Sequence, residues 1–468
     1  MKTFHFTIIL LFITMSASSA EVNVTIYNQN VGLVREVREL KFPLGEGEIR
    51  FTDVAARIIP SSVHFSCEHA ELLEQNFEFD LVDAEKLASR YIDHNLELID
   101  VEGELFRGKL LSINNGYILG EKDGSVRLIA KDRMANIHFP ELPEGLITRP
   151  TLIWSLNSEK AGKREAEISY LTFGMDWETE YVAVVNEEET AVRFNGWANI
   201  ENLSGAAFEN AKLKLIAGDV KMSTREEWNR GKFRVQASSD VSSASRGFVE
   251  SSFHEYHLYT LQQPSKINNN QRKQISLFPS ADVVKVRKEL KMSWNGTKGQ
   301  ADVIFEFENT DGNGLGMPLP SGLVRVYKAG LDGNQEFIGE DRISHTPRNE
   351  KFSITTGKAF DIVGERKVID SKRYYGMKTE DMEDEFYGKC QETFKDKMHE
   401  AHYEEVLIKV RNHKLEIVEV HVNEFFPRRV VFEYVRPRWT KKNPHNLDWY
   451  LTLEPEEEVT ITYSALRN

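Results

Sequence analysis

The sequence predicts a mainly β protein: two β-sandwich-like domains, a small five-stranded barrel inserted into the first, and one long helix beside the second. Three observations predict it. Apolar and polar residues alternate along most of the 468 residues, the period of a strand with one buried face. Glycine and asparagine turns recur about every 8–12 residues, a spacing that suits sandwiches. Only two stretches, starting near residues 83 and 379, change to a helical repeat.

The chain begins "MKTFHFTIILLFITMSASSA". Lys2, a short apolar run and small residues up to Ala20 form the three-part pattern of a secretory signal, with cleavage expected after Ala20. The run is shorter than the roughly 20 apolar residues of a spanning helix. An exported protein, periplasmic or extracellular, with no transmembrane segment in its mature chain is therefore expected. Its net charge of −14 becomes −15 once the signal, with its one lysine and no acid, is gone. Such a surface repels phosphate backbones, which argues against nucleic-acid partners. Two cysteines, Cys67 and Cys390, exclude a disulfide scaffold, a zinc ribbon and a CxxC redox site. Whether the two pair is open at this point.

Residues 21–82 read as the first strands of a sandwich: "EVNVTIYNQ", "GLVREVRELKF" and "EGEIRFTDV" alternate strictly. At 83–142 the texture changes. "DAEKLASRYI" places Leu87, Tyr91 and Ile92 on one helical face after a capping aspartate, and five short strands follow, "LELIDV" to "ANIHF", with turns at Asn114-Asn115-Gly116 and Asp123-Gly124. A helix and five strands in so few residues resemble an SH3- or Sm-like barrel. Residues 143–265 resume the first sandwich. The serine-rich 222–252 reads as a mobile loop.

In "FHEYHLYTLQQP", His254 and His257 invite a metal-site reading. Aromatic content and Pro264 favour one strand across 253–264, where two histidines three apart face opposite ways and cannot hold one ion. Residues 266–468 form the second sandwich. The glycines of "DGNGLG" read as a turn, because no helix follows to supply a phosphate-binding N-terminus. Residues 379–402 read as a helix, with Met382, Phe386, Cys390, Phe394 and Met398 recurring every fourth position. At its end His399, Glu400 and His402 spell H-E-A-H, which lacks the four-residue histidine spacing of zinc peptidases.

Several ordered blocks carry more than a generic β pattern: "YLTFGMDWETEYVA", "NIENLSGAAFENAKLKLIAGDV", "MPLPSGLVRVYK", "EFIGEDRISHTP", "GKAFDIVGERK" and "VRNHKLEIVEVHVNEFFP". They resemble an exported bacterial family of unknown function whose C-terminal β-rich module is shared with mucoidy-inhibitor A-like proteins. The resemblance runs over most of 22–465 and implies export and a link to the cell envelope or its polysaccharide. It brings no catalytic residues.

No GxSxG nucleophile elbow occurs. The most suggestive cluster for acid–base or metal-binding chemistry is "GEDRISHTPRNE", where Glu340, Asp341 and His345 are placed near a strand end with Glu350 following. The expectation is a non-catalytic envelope protein that binds a protein or polysaccharide through its sandwich surfaces, with no cofactor and no metal. A hydrolase or metal-dependent enzyme built on residues 340–350 is the alternative.

Overall fold

The structure, a computed structural model, describes residues 21–79, 84–140, 149–218, 220–221, 248–294, 296–330, 333–375, 388, 390, 400–427, 430–439 and 445–467. It is mainly β, as the alternation predicts. The chain divides into two compact units. Of the described residues, the first holds 21–177, 200–221 and 258–273; the second holds 178–199, 248–257 and 274–467.

The first unit opens with β1 (Glu21–Tyr27), β2 (Val31–Phe42), β3 (Gly45–Thr52), β4 (His64–Ser66) and β5 (Ala70–Glu78). Val24, Ile26 and Val34 are fully buried, while their neighbours Thr25 and Leu33 are only partly buried, so alternation becomes a one-sided sheet. Next come the seven-residue helix α1 (Ala84–Arg90) and β6 (Asn95–Asp100), β7 (Leu105–Ser112), β8 (Tyr117–Gly120), β9 (Val126–Ile129) and β10 (Met134–His138). These five strands form a sheet of order β10-β6-β7-β8-β9. Tyr91, Leu96, Leu98, Leu110, Leu119 and Ile129 make its core. Both forecast turns hold residues of positive φ, Asn115 at 58° and Gly124 at 88°.

Beyond this segment lie β11 (Thr151–Ser158), β12 (Gly162–Phe173), β13 (Met175–Val185), β14 (Ala191–Asn202) and β15 (Phe208–Ala217). β11 pairs antiparallel with β3 and β5, and its Trp154, fully buried, donates Nε1–H to Gln75 at 2.9 Å. β12 pairs along its whole length with β2. β1 runs parallel to β15 although nearly the whole unit separates them in sequence.

Two expectations about residues 222–264 are corrected. The loop expected over 222–252 ends in β16 (Phe248–Phe253), and 222–247 lies outside the described residues. The single strand expected over 253–264 is broken: His254, at φ 55°, forms a turn with Glu255 before β17 (Tyr256–Leu261). Histidine tolerates the left-handed region better than branched residues do. His257 is bonded to Glu250 at 2.8 Å, and no metal-holding group of three His, Cys, Asp or Glu exists among the described residues.

The remaining strands are β18 (Ser265–Ile267), β19 (Gln271–Ser276), β20 (Ala281–Met292), β21 (Lys298–Glu308), β22 (Gly322–Ala329), β23 (Gln335–Ile343), β24 (Lys351–Tyr375), β25 (Glu400–Asn412), β26 (Val418–Phe425), β27 (Val430–Arg436), β28 (Asn446–Leu453) and β29 (Glu458–Arg467). In the second unit the order β23-β22-β13-β14-β20-β21-β24-β25-β29-β27 is continuous, and β26 lies between β20 and β28. The "DGNGLG" glycines sit at a short turn after Asp311–Asn313, with Gly314 and Gly316 left-handed. Val406, Ile408, Val420, Val422, Trp449, Ile461 and Tyr463 belong to the C-terminal core.

The helix expected over 379–402 is corrected at its end, where Glu400–His402 are strand. No described helix exceeds the seven residues of α1. Gly388 and Cys390 have helical backbone, 376–387, 389 and 391–399 lie outside the described residues, and Glu400–His402 begin β25. His402 is thus a strand residue bonded to Ser371 Oγ at 3.0 Å and close to Arg467 and Glu404. The residues after 399 also alternate ("HYEEVLIKV"), and pairing with β24 and β29 decides in favour of strand.

Candidate functional site

Glu340, Asp341 and His345 do not converge on one another's partners. Glu340 and Asp341 lie within β23 rather than in a loop. Glu340 faces Arg325 at 3.5 Å. Asp341 accepts hydrogen bonds from the backbone N–H of Arg342 and of Thr355, both at 2.8 Å. His345 Nδ1 accepts from the Ser321 N–H at 3.2 Å, and its Nε2 meets Ser321 Oγ at 3.4 Å. Glu350 contributes its backbone carbonyl to Asn309 N–H. Each group is engaged in joining strands and turns. Cys67 and Cys390 are free thiols, the former half-buried and the latter buried, and burial pushes Cys390 up to about 11.

Two other places carry organised polar chemistry. The first is an open groove of about 500 Å³ on the five-stranded sheet, lined by Glu97, Arg107, Lys109, Glu121, Lys122 and His138 among others. Its charges largely answer one another. Arg107 bonds Glu97 at 2.6 Å, Lys109 pairs with Asp93 at 2.7 Å, and Glu121 pairs with Arg127.

The second place is the outer face of β26. Alternation sends Val418, Val420 and Val422 into the core and leaves His421 and Asn423 on the opposite face. His421 is nonetheless buried. Its Nδ1 lies 2.7 Å from Glu289 Oε1 on β20, and its Nε2 lies 2.7 Å from Asp448 Oδ1 on β28. Asn423 donates to the same Asp448 oxygen at 2.9 Å. An imidazolium donates to both carboxylates, whereas a neutral ring donates to only one. Tyr450, opposite His421 in register, stacks on the imidazole with centroids 4.6 Å apart and planes 14° from parallel.

This array is poorly suited to catalysis. A histidine acting as general base needs a ring nitrogen facing substrate, and both nitrogens here are held by carboxylates. Its physical consequence is different. Two lateral bonds fix the imidazole, the imidazole fixes the tyrosine ring, and that ring stays 48% exposed. Sequence reasoning missed the array. The available signal was "VEVHVNEF", in which a histidine and an asparagine occupy the non-core positions of an otherwise apolar strand.

On the inner side of β26, buried Glu424 accepts from Arg366 Nε and from Tyr463 Oη, both at 2.9 Å. Burial raises the Glu424 carboxyl above the usual range, and Arg366 opposes the rise. Burial also raises Tyr463. This triad joins β24, β26 and β29, with Arg366 at its partly exposed end.

No protein-family profile, curated protein or solved structure matches the chain.

Proposed function

We propose that this chain is an exported, non-catalytic cell-envelope protein that binds a protein or polysaccharide partner through its β-sheet surfaces. The observation that carries the reading is the Tyr450 ring, held flat and exposed by buried His421 and Asp448 with half-buried Glu289. Keeping an aromatic ring half in water has no benefit to the core, and exposed fixed aromatics are what binding surfaces use. The secretory pattern before Glu21 supports export, and the order of sequence blocks supports membership in the exported family related to mucoidy-inhibitor A-like proteins. The same reading takes the sheets as two β-sandwich domains and residues 83–142 as an SH3- or Sm-like insert. The core of Tyr91, Leu96, Leu98, Leu110, Leu119 and Ile129 supports an independently packed insert.

The test is co-sedimentation of purified mature protein with isolated envelope fractions. Wild type is expected in the pellet, and Tyr450→Ala in the supernatant with an unchanged melting curve. Equal pelleting of both overturns the role of Tyr450, and absence of wild type from the pellet overturns the binding reading. Mass spectrometry of the secreted form, expected to begin at Glu21, tests export.

A hydrolase or metal-dependent enzyme using Glu340, Asp341 and His345 is the second reading, favoured by the presence of two acids and a histidine near one strand end. Asp341→Ala with His345→Ala, in folded protein, is expected to leave the cellular phenotype unchanged. Loss of the phenotype with normal protein levels revives the enzyme reading.

A further inference from the structure

The geometry points to a track for a linear, uncharged polysaccharide on the outer face of β26 and β28, with Tyr450 and Phe425 as its two stacking platforms. The inference rests on the binding reading above and names the partner class. Tyr450 is 48% exposed and Phe425 is 65% exposed. His421 stands opposite Tyr450, and Phe425 stands opposite Asn446. Four residues along β26 separate the two positions, roughly 13 Å at the rise of a strand. That distance matches the reach of two to three sugar rings in an extended chain, so both rings engage one glycan.

Pyranose rings with equatorial hydroxyls have flat, C–H-rich faces that pack on aromatic rings, while their edges are rich in hydroxyl donors. The floor between the platforms suits such edges. Asn446 and Asp448 alternate with core residues on β28 and so share the face of Tyr450. Among the described residues, Asn446 Oδ1 and Asp448 Oδ2 are buried oxygens without a hydrogen-bond partner. Acceptors left this way are costly, and a hydroxyl-rich ligand supplies donors, directly or through water.

Charge selects among glycans. The face presents Glu289, Glu419 and Asp448 against Lys291, so a uronic-acid or phosphate polymer gains no net attraction. A neutral hexose or N-acetylhexosamine chain meets no such penalty.

The experiment is calorimetry and affinity electrophoresis of the full mature chain with cellohexaose, chitohexaose and polygalacturonate. Binding to at least one neutral hexamer is expected, with Tyr450→Ala and Phe425→Ala each weakening it at least about tenfold and Tyr450→Trp retaining it. Both side chains are exposed, and a thermal melt of each variant confirms the fold. No binding to either neutral hexamer, binding to polygalacturonate alone, or binding indifferent to both alanine variants each overturns the inference. If wild type pellets with envelope fractions yet ignores neutral glycans, only the polysaccharide assignment fails. If it does neither, the binding reading fails as well.

Discussion

Tyr450 lies face to face on His421, 4.6 Å between ring centroids, and the imidazole beneath it is bonded on both sides to carboxylates from strands β20 and β28. The exposed ring therefore depends on a hydrogen-bond network beneath it. Removing the imidazole takes away the ring that Glu289 and Asp448 both bond and leaves Asp448 its bond from Asn423. Leaving a buried acceptor without its hydrogen-bond donor costs about 1–3 kcal/mol. His421→Ala is expected to lower unfolding stability by that order, read as a shift of the urea midpoint with unchanged slope. A loss below about 1 kcal/mol contradicts a network of this kind.

Buried carboxyls set a pH signature. Burial raises Glu36 and Glu424 above the ordinary range, against the pull of Arg38 and Arg366. The native state thus binds these protons more readily than the unfolded chain does. Their contribution is fully present below the unfolded pKa and is lost as pH rises through the raised values. Over that window Glu36→Gln and Glu424→Gln should flatten the decline of stability with rising pH, measured by urea midpoints at successive pH values. A pH profile identical to that of wild type in both variants rules this out.

Thiol chemistry separates the two cysteines. Cys390 is fully buried and its thiol is pushed up to about 11, whereas Cys67 is half-buried. Reactivity follows thiolate fraction and access. Native protein at pH 8 should expose one reactive thiol to a chromogenic disulfide reagent, and urea-unfolded protein two. Finding none after unfolding shows that the cysteines pair.

Gly174 joins β12 to β13 at φ 85°, and a Cβ there meets Leu203 O at 2.6 Å. The left-handed conformation alone costs a residue with a Cβ about 1–2 kcal/mol, and the contact is with backbone that cannot rotate away. Gly174→Ala should destabilise by at least this amount in thermal melts. A neutral substitution shows that the turn can rearrange.

Much of this architecture was legible in the letters. The alternation in "EVNVTIYNQ" foretold β1, the five strands from Asn95 to His138 were each anticipated, and the turns at Asn115 and Gly124 follow from residues that accept positive φ. The failures have identifiable causes. At Glu400–His402 pairing with the distant β24 and β29 chooses strand, whereas at His254 a positive-φ turn folds β16 back onto its neighbour β17. The acids and histidine at 340–345 looked like a cluster because they are adjacent in print, yet Glu340 turns to Arg325, Asp341 to Thr355 and His345 to Ser321.

By itself, the sequence determined the period of burial along each strand, and hence that His421 and Asn423 share one face of β26 while Asn446, Asp448 and Tyr450 share one face of β28. That is short-range chemistry, decided by neighbours two positions away. Only the tertiary structure decided that these faces meet, and that Glu289, 132 residues from His421, completes the array. Strand neighbours are selected by closing long loops around a common core, and no run of adjacent residues encodes that choice.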